Sequence, residues 1–334
     1  MRNGIIMLKV VEAFSGIGAQ KQALEKLNIE HEIINTIEWD INAIYAYDIM
    51  HHNDNSPSKL SKHEIIERLA NVTLSPDGKK PFSDNGLYRI KEEKLQKLYA
   101  AIRRNNNLCD ITQVSGDMIP DDTDLLTYSF PCQDLSIGSV WYNKDNDGIR
   151  KGAKTRSGLL WEIERILRER IMINVPLPKF LLMENVNAIT SPKHNPNFVQ
   201  WQEELESMGY TNKVYKGLNA LDFGVPQSRS RTFMLSIRNK DIEPEEISNL
   251  NYNIQSNLGD YLRFNHKEEI IEATPNYTPS RIKIYNQNRL LAKNGVVKAD
   301  FTNTISTKQD RNPNAGVILQ DDRMRYLTPQ IGRA

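Results

Sequence analysis

Short apolar runs recur along the first 238 residues, and each of them ends in a turn or a polar residue. The runs cover residues 5–13, 33–37, 125–130, 180–183 and 232–237. Continuous apolar runs of this length are typical of strands that are buried on both faces of a parallel sheet. Amphipathic segments that predict helices lie at residues 19–27, 158–170 and between Asn197 and Gly209. The pattern predicts an α/β fold with a mostly parallel sheet.

Two regions depart from this alternation. Residues 50–108 show no sheet-like period, and helical patterns at 63–70 and 92–104 predict a helical insertion on the surface of the sheet. Beyond residue 238 the apolar runs stop, and Asn, Tyr, Lys and Arg dominate up to residue 320. The predicted organisation is a larger domain at residues 1–238, a smaller domain at 239–320 and, at 321–334, the start of a return to the first domain.

The composition narrows the class of protein. The chain has 334 residues, 25% of them charged, a net charge of +1 and two cysteines, which is ordinary for a globular protein. Two cysteines without paired spacing argue against a disulfide framework and a zinc site, and they fit a reducing cytoplasm. His51, His52 and His63 also lack partners at metal-ligand spacing, so we expect them to be solvated. No apolar stretch reaches the length of about 18 residues that a membrane span needs. The balanced charge neither indicates nor excludes nucleic-acid binding.

A glycine turn follows the first predicted strand. Phe14-Ser15-Gly16-Ile17-Gly18 leads into a helix, and Glu38 stands 20 residues beyond Gly18, at the end of the next strand. At this spacing an acidic side chain binds ribose hydroxyls in nucleotide-binding folds, although the third glycine of the dinucleotide fingerprint is missing. An adenosine ligand without a pyrophosphate fits that departure, and Trp39 offers a flat face for its ring. The alternative is that Glu38 is solvated and Trp39 only packs.

A thiol follows the predicted strand at residues 125–130. Cys132 comes directly after Pro131, and in open α/β sheets the chemistry lies just beyond the carboxyl ends of the strands. Cys132 is therefore either a nucleophile or a buried structural cysteine. The polar segment at residues 133–157 is either a lid over the thiol or a loop without function. Ser157 is predicted to cap the helix that follows it.

Charged side chains stand at further predicted strand ends. Glu184 ends an apolar run, where a carboxyl group either acts as an acid or is an ordinary loop residue. Gln227, Arg229 and Arg231 alternate along the sequence, so in an extended backbone they point to one side. Two arginines aimed one way suit an anionic or carbonyl-rich ligand, and a solvated strand edge is the alternative.

The second predicted domain offers one candidate contact region. A short strand is predicted at residues 301–306, and a polar loop with Lys308, Arg311 and Asn312 follows it. Side chains of these types either reach base edges and phosphates in a DNA groove or remain solvated.

Six short segments of the chain match sequence motifs of one known protein family and occur in the same order. They are Phe14-Ser15-Gly16-Ile17-Gly18, Glu38-Trp39, Asp110-Ile111, Pro131-Cys132-Gln133, Glu184-Asn185-Val186 and Gln227-x-Arg229-x-Arg231. With these segments the chain resembles the cytosine-5 DNA methyltransferase family over nearly its whole length outside the insertion and the later region. Gly116-Asp117-Met118 also looks like the family's adenine-contacting motif, but Asp117 stands 15 residues before Cys132. Asp110 stands 22 residues before Cys132, close to the family's usual interval, so we assign that role to Asp110 and Ile111.

The resemblance implies a Rossmann-like, S-adenosylmethionine-dependent methyltransferase fold, with residues 1–238 as the catalytic domain and 239–320 as the target-recognition domain. It implies that the cofactor is S-adenosylmethionine and that Cys132 adds to C6 of a cytosine flipped out of duplex DNA. Glu184 would hold or protonate N3, Arg231 would bind O2, and Arg229 would support the same site. The implied cofactor-binding residues are Phe14, Gly16, Gly18, Glu38, Trp39, Asp110, Ile111, Pro131 and Leu159. The implied DNA-binding residues are Gln133, Ser136, Gln227, Lys308, Arg311 and Asn312.

The chain departs from the family near its last residues. Residues 325–329 resemble a region of the family that is followed by more chain. In the family, that further chain includes a Gly-Asn-Ser-containing motif that closes the cofactor pocket. The present sequence lacks this motif. We expect a truncated chain or one half of a split enzyme, whose partner polypeptide supplies the motif, and weak methylation by the isolated chain. The alternatives are a DNA-binding subunit without catalysis, a transfer-RNA cytosine-5 methyltransferase, and a nicotinamide-dependent dehydrogenase, which leaves Cys132 and Glu184 unexplained.

The insertion adds a narrower likeness. Together with residues 127–130 and 155–162, it is similar to the CpG-specific methyltransferases of mollicutes, so CpG is the expected target. The resemblance further implies a bacterial cytoplasmic enzyme that associates with the nucleoid, and a cognate restriction endonuclease as a genetic partner.

Overall fold

The structure, a computed structural model, describes most of the first two thirds of the chain and short stretches of the remainder. The described residues are 7–132, 135, 148–152, 155–238, 258, 279, 282–283, 286, 296–297, 301–304, 317–320 and 323–326. The chain forms two compact units. Met1–Lys216 and Thr232–Glu245 make the first unit, and Gly217–Arg231 and Glu246–Ala334 make the second.

A six-stranded sheet carries the first unit, and its strands stand in the order β2-β1-β3-β4-β7-β5. The strands are β1 (Leu8–Ala13), β2 (His31–Ile37), β3 (Leu125–Tyr128), β4 (Phe180–Val186), β5 (Thr211–Asn219) and β7 (Ser230–Ile237). The helices are α1 (Ala19–Lys26), α2 (Ile41–His52), α3 (Lys62–Arg68), α4 (Glu92–Arg104), α5 (Leu160–Met172) and α6 (Asn195–Ser207). Strands thus alternate with helices, and the predicted α/β class is confirmed.

The carboxyl ends of four parallel strands meet at one edge of the sheet. Strands β2, β1, β3 and β4 are parallel, and their last paired residues form one row. Ala13 pairs with both Ile37 and Tyr128, and Tyr128 pairs with Met183. Strand β2 lies on one side of β1, and β3, the next strand along the chain, lies on the other side. The crevice between β1 and β3 is therefore the topological switch point. Open α/β sheets bind their ligands in that crevice.

The main core joins this sheet to α5 and α6. The largest of its fully buried side chains is Trp201 of α6, whose indole Nε1 donates a 3.2 Å hydrogen bond to the Tyr128 hydroxyl of β3. The ring of Trp161, on α5, meets Trp201 edge to face at a centroid distance of 5.7 Å. Aromatic pairs of this geometry add about 1 kcal/mol each to the burial of their surface. The last residue of β3 is therefore packed against the aromatic pair of α5 and α6.

A second apolar cluster holds α2, α3 and α4 together. Its buried residues include Ile44, Ile65, Leu95 and Leu98. The helix predicted at residues 92–104 is observed with those bounds, and α3 starts at a capping box between Ser61 and Glu64. Helix α2 escaped prediction because its apolar residues are not confined to one face: Ile44 is buried, whereas the neighbouring Ile49 and Met50 are exposed.

The described part of the second unit contains several short strands and a 3-10 helix at Ala220–Phe223. Strand β6 (Gln227–Ser228) pairs with β9 (Thr302–Asn303), and β10 (Val317–Gln320) pairs with β8 (Val296–Val297) and β11 (Arg323–Tyr326). The chain changes sheets between β6 and β7, at Arg229. For this reason sequence alternation alone does not put Gln227, Arg229 and Arg231 on one face. In the residues that the structure describes, no helix is long and apolar enough to cross a membrane.

Candidate active site

The glycine turn comes directly after β1 and adopts left-handed backbone at three positions. Phe14, Gly16 and Gly18 have φ angles of 54°, 53° and 79°. A Cβ atom on Gly18 would stand 2.2 Å from Nε2 of His51, so only glycine fits there. At Gly16 the nearest atom to such a Cβ is a backbone oxygen at 4.0 Å, so the turn is open on that side.

A buried polar network supports the turn from α2. The carboxylate of Glu12, which is fully buried on β1, accepts hydrogen bonds from the Tyr47 hydroxyl at 2.6 Å and from the Lys21 backbone at 2.9 Å. Burial raises the pKa of Glu12 despite these donors. His51 Nε2 lies 2.9 Å from the carbonyl oxygen of Ile17, and burial lowers the pKa of this histidine. The prediction that His51 is solvated is therefore wrong, because the imidazole packs under the turn.

Glu38 stands in the strand-end row, one residue beyond β2. Its Oε2 accepts the backbone N–H of Gly16 at 3.0 Å, and its Oε1 accepts the backbone N–H of Asp40 at 2.8 Å. Burial raises the pKa of Glu38. Trp39 is half-buried, and its carbonyl oxygen accepts the backbone N–H of Ser75 in the insertion. The carboxylate is thus held against the glycine turn by the turn's own backbone.

The chain that leads to Asp110 and Ile111 pairs with the outer edge of β2 at Asn107, three residues before Asp110. The side chain of Asn107 accepts the Glu38 backbone N–H and donates to the Glu38 carbonyl oxygen, both at 3.0 Å. Asp110 caps a short 3-10 turn through Thr112, and Ile111 is buried in the main core. The competing Gly116-Asp117-Met118 segment packs on the end of α5, where Arg170 donates to the Gly116 carbonyl oxygen at 2.7 Å. Helix α5 also holds Ile111, through Arg165, which donates to the Ile111 carbonyl oxygen at 3.0 Å. The assignment of Asp110 and Ile111 to a ligand at Glu38 stays a prediction.

Residues 129–132, the Cys132 segment, are hydrogen-bonded to neighbouring elements on both sides. The side-chain amide of Asn185 donates a 3.0 Å hydrogen bond to the carbonyl oxygen of Phe130, and the Ser157 hydroxyl donates a 2.7 Å bond to that of Pro131. Ser157 is fully buried, and the residue at the N-cap of α5 is Leu159. The prediction that Ser157 caps α5 is therefore wrong, since its hydroxyl serves the neighbouring strand end.

The two cysteines lie in contrasting environments. Cys109 is 3% exposed, and burial raises the pKa of its thiol to about 12, with Asp110 and Glu38 adding to the effect. Cys132 is partly exposed, four residues beyond the last residue of β3. Because the thiolate is the nucleophilic form, Cys109 is chemically inert at neutral pH. Only Cys132 has the accessibility that a reactive cysteine needs.

Glu184 lies within β4 rather than beyond it, since the strand continues to Val186. The Ser129 hydroxyl donates a hydrogen bond to Oε2 of Glu184 and lies 3.3 Å from the carbonyl oxygen of the same residue. Sequence reasoning missed Ser129, because nothing in a single sequence shows that its neighbour across the sheet is a carboxylate. The Cys132 segment and Glu184 are joined through this contact.

The remaining predicted residues fall into three groups. Phe14 and Leu159 are partly buried and pack against the main core of the first unit. In the second unit, the Arg229 backbone N–H donates to the Asn219 side chain at 3.0 Å, and Arg231 donates to the Ser230 carbonyl oxygen at 2.8 Å. Gln133, Ser136, Lys308, Arg311 and Asn312 lie outside the described residues.

Comparison with known proteins identifies the class. Residues 87–330 match the C-5 cytosine-specific DNA methylase family. The orphan methyltransferase M.SssI of Spiroplasma monobiae is 43% identical over 243 residues, which are 71% of this chain and 61% of that protein. The type II methyltransferase M2.ScrFI of Lactococcus lactis subsp. cremoris is 33% identical over 97% of this chain and 86% of its own. The chain belongs to the C-5 cytosine-specific DNA methylase family.

A solved structure shows the same fold. The Dnmt2 methyltransferase of S. pombe matches with a TM-score of 0.60 and 18% identity, over 98% of this chain and 85% of that one. The Rossmann-like methyltransferase fold predicted from the sequence is therefore confirmed, and so is the likeness to a mollicute relative, which is a Spiroplasma protein.

Membership in this family implies S-adenosylmethionine as the methyl donor. The residues at the switch point suit that ligand. Gly16 leaves an open face on the turn, Glu38 would offer its carboxylate to a ribose, and the partly buried Phe14 and Leu159 would offer apolar surface for adenine. The missing third glycine is consistent with a ligand that carries no pyrophosphate.

Proposed function

We propose that this chain transfers the methyl group of S-adenosylmethionine to C5 of a cytosine in duplex DNA. The observation that carries the proposal is the joining of the Cys132 segment to the end of β4, through the Asn185–Phe130 and Ser129–Glu184 hydrogen bonds. A nucleophile and a carboxyl group held on two neighbouring strands are what addition to a pyrimidine ring requires. The buried Cys109 offers no competing site.

The thiolate of Cys132 adds to C6 of the ring, and the electron pair of the C5–C6 double bond makes C5 nucleophilic. Glu184 holds or protonates N3, and Arg231 binds O2 with support from Arg229, so that charge in the ring is stabilised. The cofactor supplies an electrophilic methyl group on a sulfonium, which C5 accepts. Loss of the C5 proton then restores the double bond and expels the Cys132 thiolate.

The cofactor-binding residues divide between three strand ends. Glu38 accepts hydrogen bonds from the ribose hydroxyls, and the Gly16 N–H that it already binds keeps its carboxylate beside the turn. Trp39 and Ile111 enclose the adenine, and Asp110 accepts from its amino group. Phe14, Gly18, Pro131 and Leu159 complete the set.

Substrate recognition is the less constrained part of the proposal. The target atoms are hidden inside a duplex, so the cytosine is flipped out of it. Unstacking and unpairing the base costs about a few kcal/mol of free energy. Gln133, Ser136, Gln227, Lys308, Arg311 and Asn312 are proposed DNA contacts, and residues 239–320 the target-recognition domain. CpG as the target, a required second polypeptide and a cognate restriction endonuclease stay predictions.

The test is direct analysis of the product. The purified chain is incubated with isotopically labelled S-adenosylmethionine and either a CpG duplex, a duplex without CpG, or transfer RNA, and the digested nucleosides are identified by mass spectrometry. We expect labelled 5-methylcytosine from duplex DNA with the wild type and with Cys109→Ala, and none with Cys132→Ser. If the gene neighbourhood encodes a candidate partner chain, the same assay is run with it added.

Two results would overturn the proposal. One is labelled 5-methylcytosine from transfer RNA alone. The other is DNA binding without methyl transfer by a folded wild-type chain that binds the cofactor, with and without the candidate partner. The second result would identify a DNA-binding subunit without catalysis.

A further inference from the structure

We propose that Ser129 is a positioning residue, which holds the Glu184 carboxylate in fixed geometry relative to the Cys132 thiol. The inference rests on the proposed function and deepens it, because neither the family's motifs nor the sequence analysis gives Ser129 a role. Its basis is the hydrogen bond from the Ser129 hydroxyl to Oε2 of Glu184.

The sheet register brings the two residues together. Tyr128 of β3 pairs with Met183 of the parallel strand β4. Ser129 and Glu184 are the residues that directly follow this pair. A serine hydroxyl carries one proton, and a carboxylate can only accept. The serine hydroxyl therefore donates to Oε2 of Glu184.

A second bond reinforces the first at the following pair of residues. The Asn185 side chain donates to the carbonyl oxygen of Phe130 at 3.0 Å. The two bonds join consecutive residues of the Cys132 segment to consecutive residues of β4. Ser129 donates to β4 in the first bond, and β4 donates to Phe130 in the second. Together they limit rotation and sliding of the Cys132 segment against β4.

The reaction explains why this link is needed. Cys132 attacks C6 and Glu184 acts at N3 of one six-membered ring, so an error in either position displaces both from their atoms. A misplacement of about 1 Å lowers a rate roughly 100-fold when the reacting groups are otherwise intact. Ser129 lies three residues before Cys132 and its hydroxyl donates to Glu184 itself, so it links the two segments directly.

The variants Ser129→Ala and Ser129→Cys test the inference, with Ser129→Thr as the conservative variant. Ser236→Ala is the control, because the Ser236 hydroxyl also donates to a side chain, that of Asn212 at 2.7 Å. Ser236 is buried near the end of β7 where the Arg238 backbone N–H donates to the Lys179 carbonyl oxygen, at the opposite end of β4 from Glu184. Steady-state methylation of duplex DNA gives kcat and KM for DNA and for cofactor.

We expect kcat to fall about 10- to 100-fold in Ser129→Ala and Ser129→Cys, with both KM values within about 3-fold of wild type. Ser129→Thr should recover most of the loss, and Ser236→Ala should leave kcat unchanged. If Ser129→Ala does not fold, Ser129→Cys carries the test, because it keeps the side-chain shape and weakens only the donor.

The outcomes separate this inference from the proposed function. An active wild type whose Ser129→Ala and Ser129→Cys variants keep kcat within about 2-fold overturns the positioning role alone. So does an equal kcat loss in Ser236→Ala, which would assign the effect to general destabilisation. A folded, cofactor-binding wild type that transfers no methyl group, with and without the candidate partner, overturns the proposed function, and this inference with it.

Discussion

The side-chain amide of Asn185 donates a hydrogen bond of 3.0 Å to the carbonyl oxygen of Phe130, two residues before Cys132. Asn185 is 2% exposed, and its own Oδ1 accepts the backbone N–H of Val186 at 2.9 Å. Both functions of the amide are thus used at the point where β4 meets the segment of the proposed nucleophile. Asparagine fits this position because only an amide offers a donor and an acceptor in the same plane.

Replacing Asn185 with aspartate removes the donor and keeps the acceptor. We expect Asn185→Asp to lower the free energy of unfolding by about 1–3 kcal/mol, because a carboxylate oxygen then faces the carbonyl oxygen of Phe130. Methyl transfer should fall further than the loss of folded protein explains, and urea unfolding with single-turnover kinetics measures both. Asn212→Asp is the control: its amide also donates to a carbonyl oxygen, at 3.0 Å from Gln202, away from the site. Equal kinetics in both variants would contradict the account.

The two thiols should react at very different rates. Burial raises the pKa of Cys109 to about 12, so near pH 8 only about one molecule in 10,000 carries its thiolate. Titration of the native protein with a disulfide reagent should therefore show one fast thiol. That phase should vanish in Cys132→Ser and persist in Cys109→Ala. A fast phase that follows Cys109 would show that the buried position is misassigned.

Alanine at Gly18 should be more damaging than alanine at another left-handed glycine. Gly18 and Gly209 have φ angles of 79° and 90°, so both substitutions carry backbone strain of about 1 kcal/mol. Only at Gly18 does the new Cβ overlap a neighbour, at 2.2 Å from His51, whereas nothing lies within 4 Å at Gly209. Gly18→Ala should lower the melting temperature more and weaken cofactor binding, measured by calorimetry. Equal effects of the two variants would argue against the packing of His51 under the turn.

A buried hydroxyl near the site offers a stabilising substitution. Thr127 on β3 is 1% exposed, and its hydroxyl makes no hydrogen bond within the described part of the chain. Thr127→Val keeps the branched shape and removes the unsatisfied group, so we expect the free energy of unfolding to rise by about 1 kcal/mol. Thr123→Val should do the opposite, because that hydroxyl donates to the Pro120 carbonyl oxygen at 2.6 Å. Destabilisation of similar size in both variants would mean that Thr127 has a partner.

The sequence was most informative where chemistry depends on strand order. Parallel strands end together, and the observed row from Ile37 through Ala13 to Tyr128 puts the ends of β2, β1 and β3, as the sequence pattern predicts, at one edge of the sheet. The family resemblance could likewise be read from the spacing of short motifs, since those residues are dictated by the reaction rather than by packing.

Side-chain pairings could not be read in the same way. Ser157 looked like a helix cap because serine often caps helices, but its hydroxyl donates to Pro131, which is 26 residues away in sequence. His51 looked solvated because no metal partner stood near it, yet it packs under Gly18. Ser129 gave no signal at all. Each of these roles depends on a neighbour that only the folded sheet supplies.

The central claim is that Cys132 forms the covalent bond to the cytosine ring. A duplex containing 5-fluorocytosine tests it most directly, because fluorine at C5 cannot leave as a proton does and the adduct is therefore trapped. Wild-type chain, S-adenosylmethionine and this duplex should give a denaturant-resistant complex whose intact mass is the sum of protein, DNA and one methyl group. Cys132→Ser should give none. An adduct that persists in Cys132→Ser, or its absence with a wild type that methylates ordinary DNA, would contradict the account.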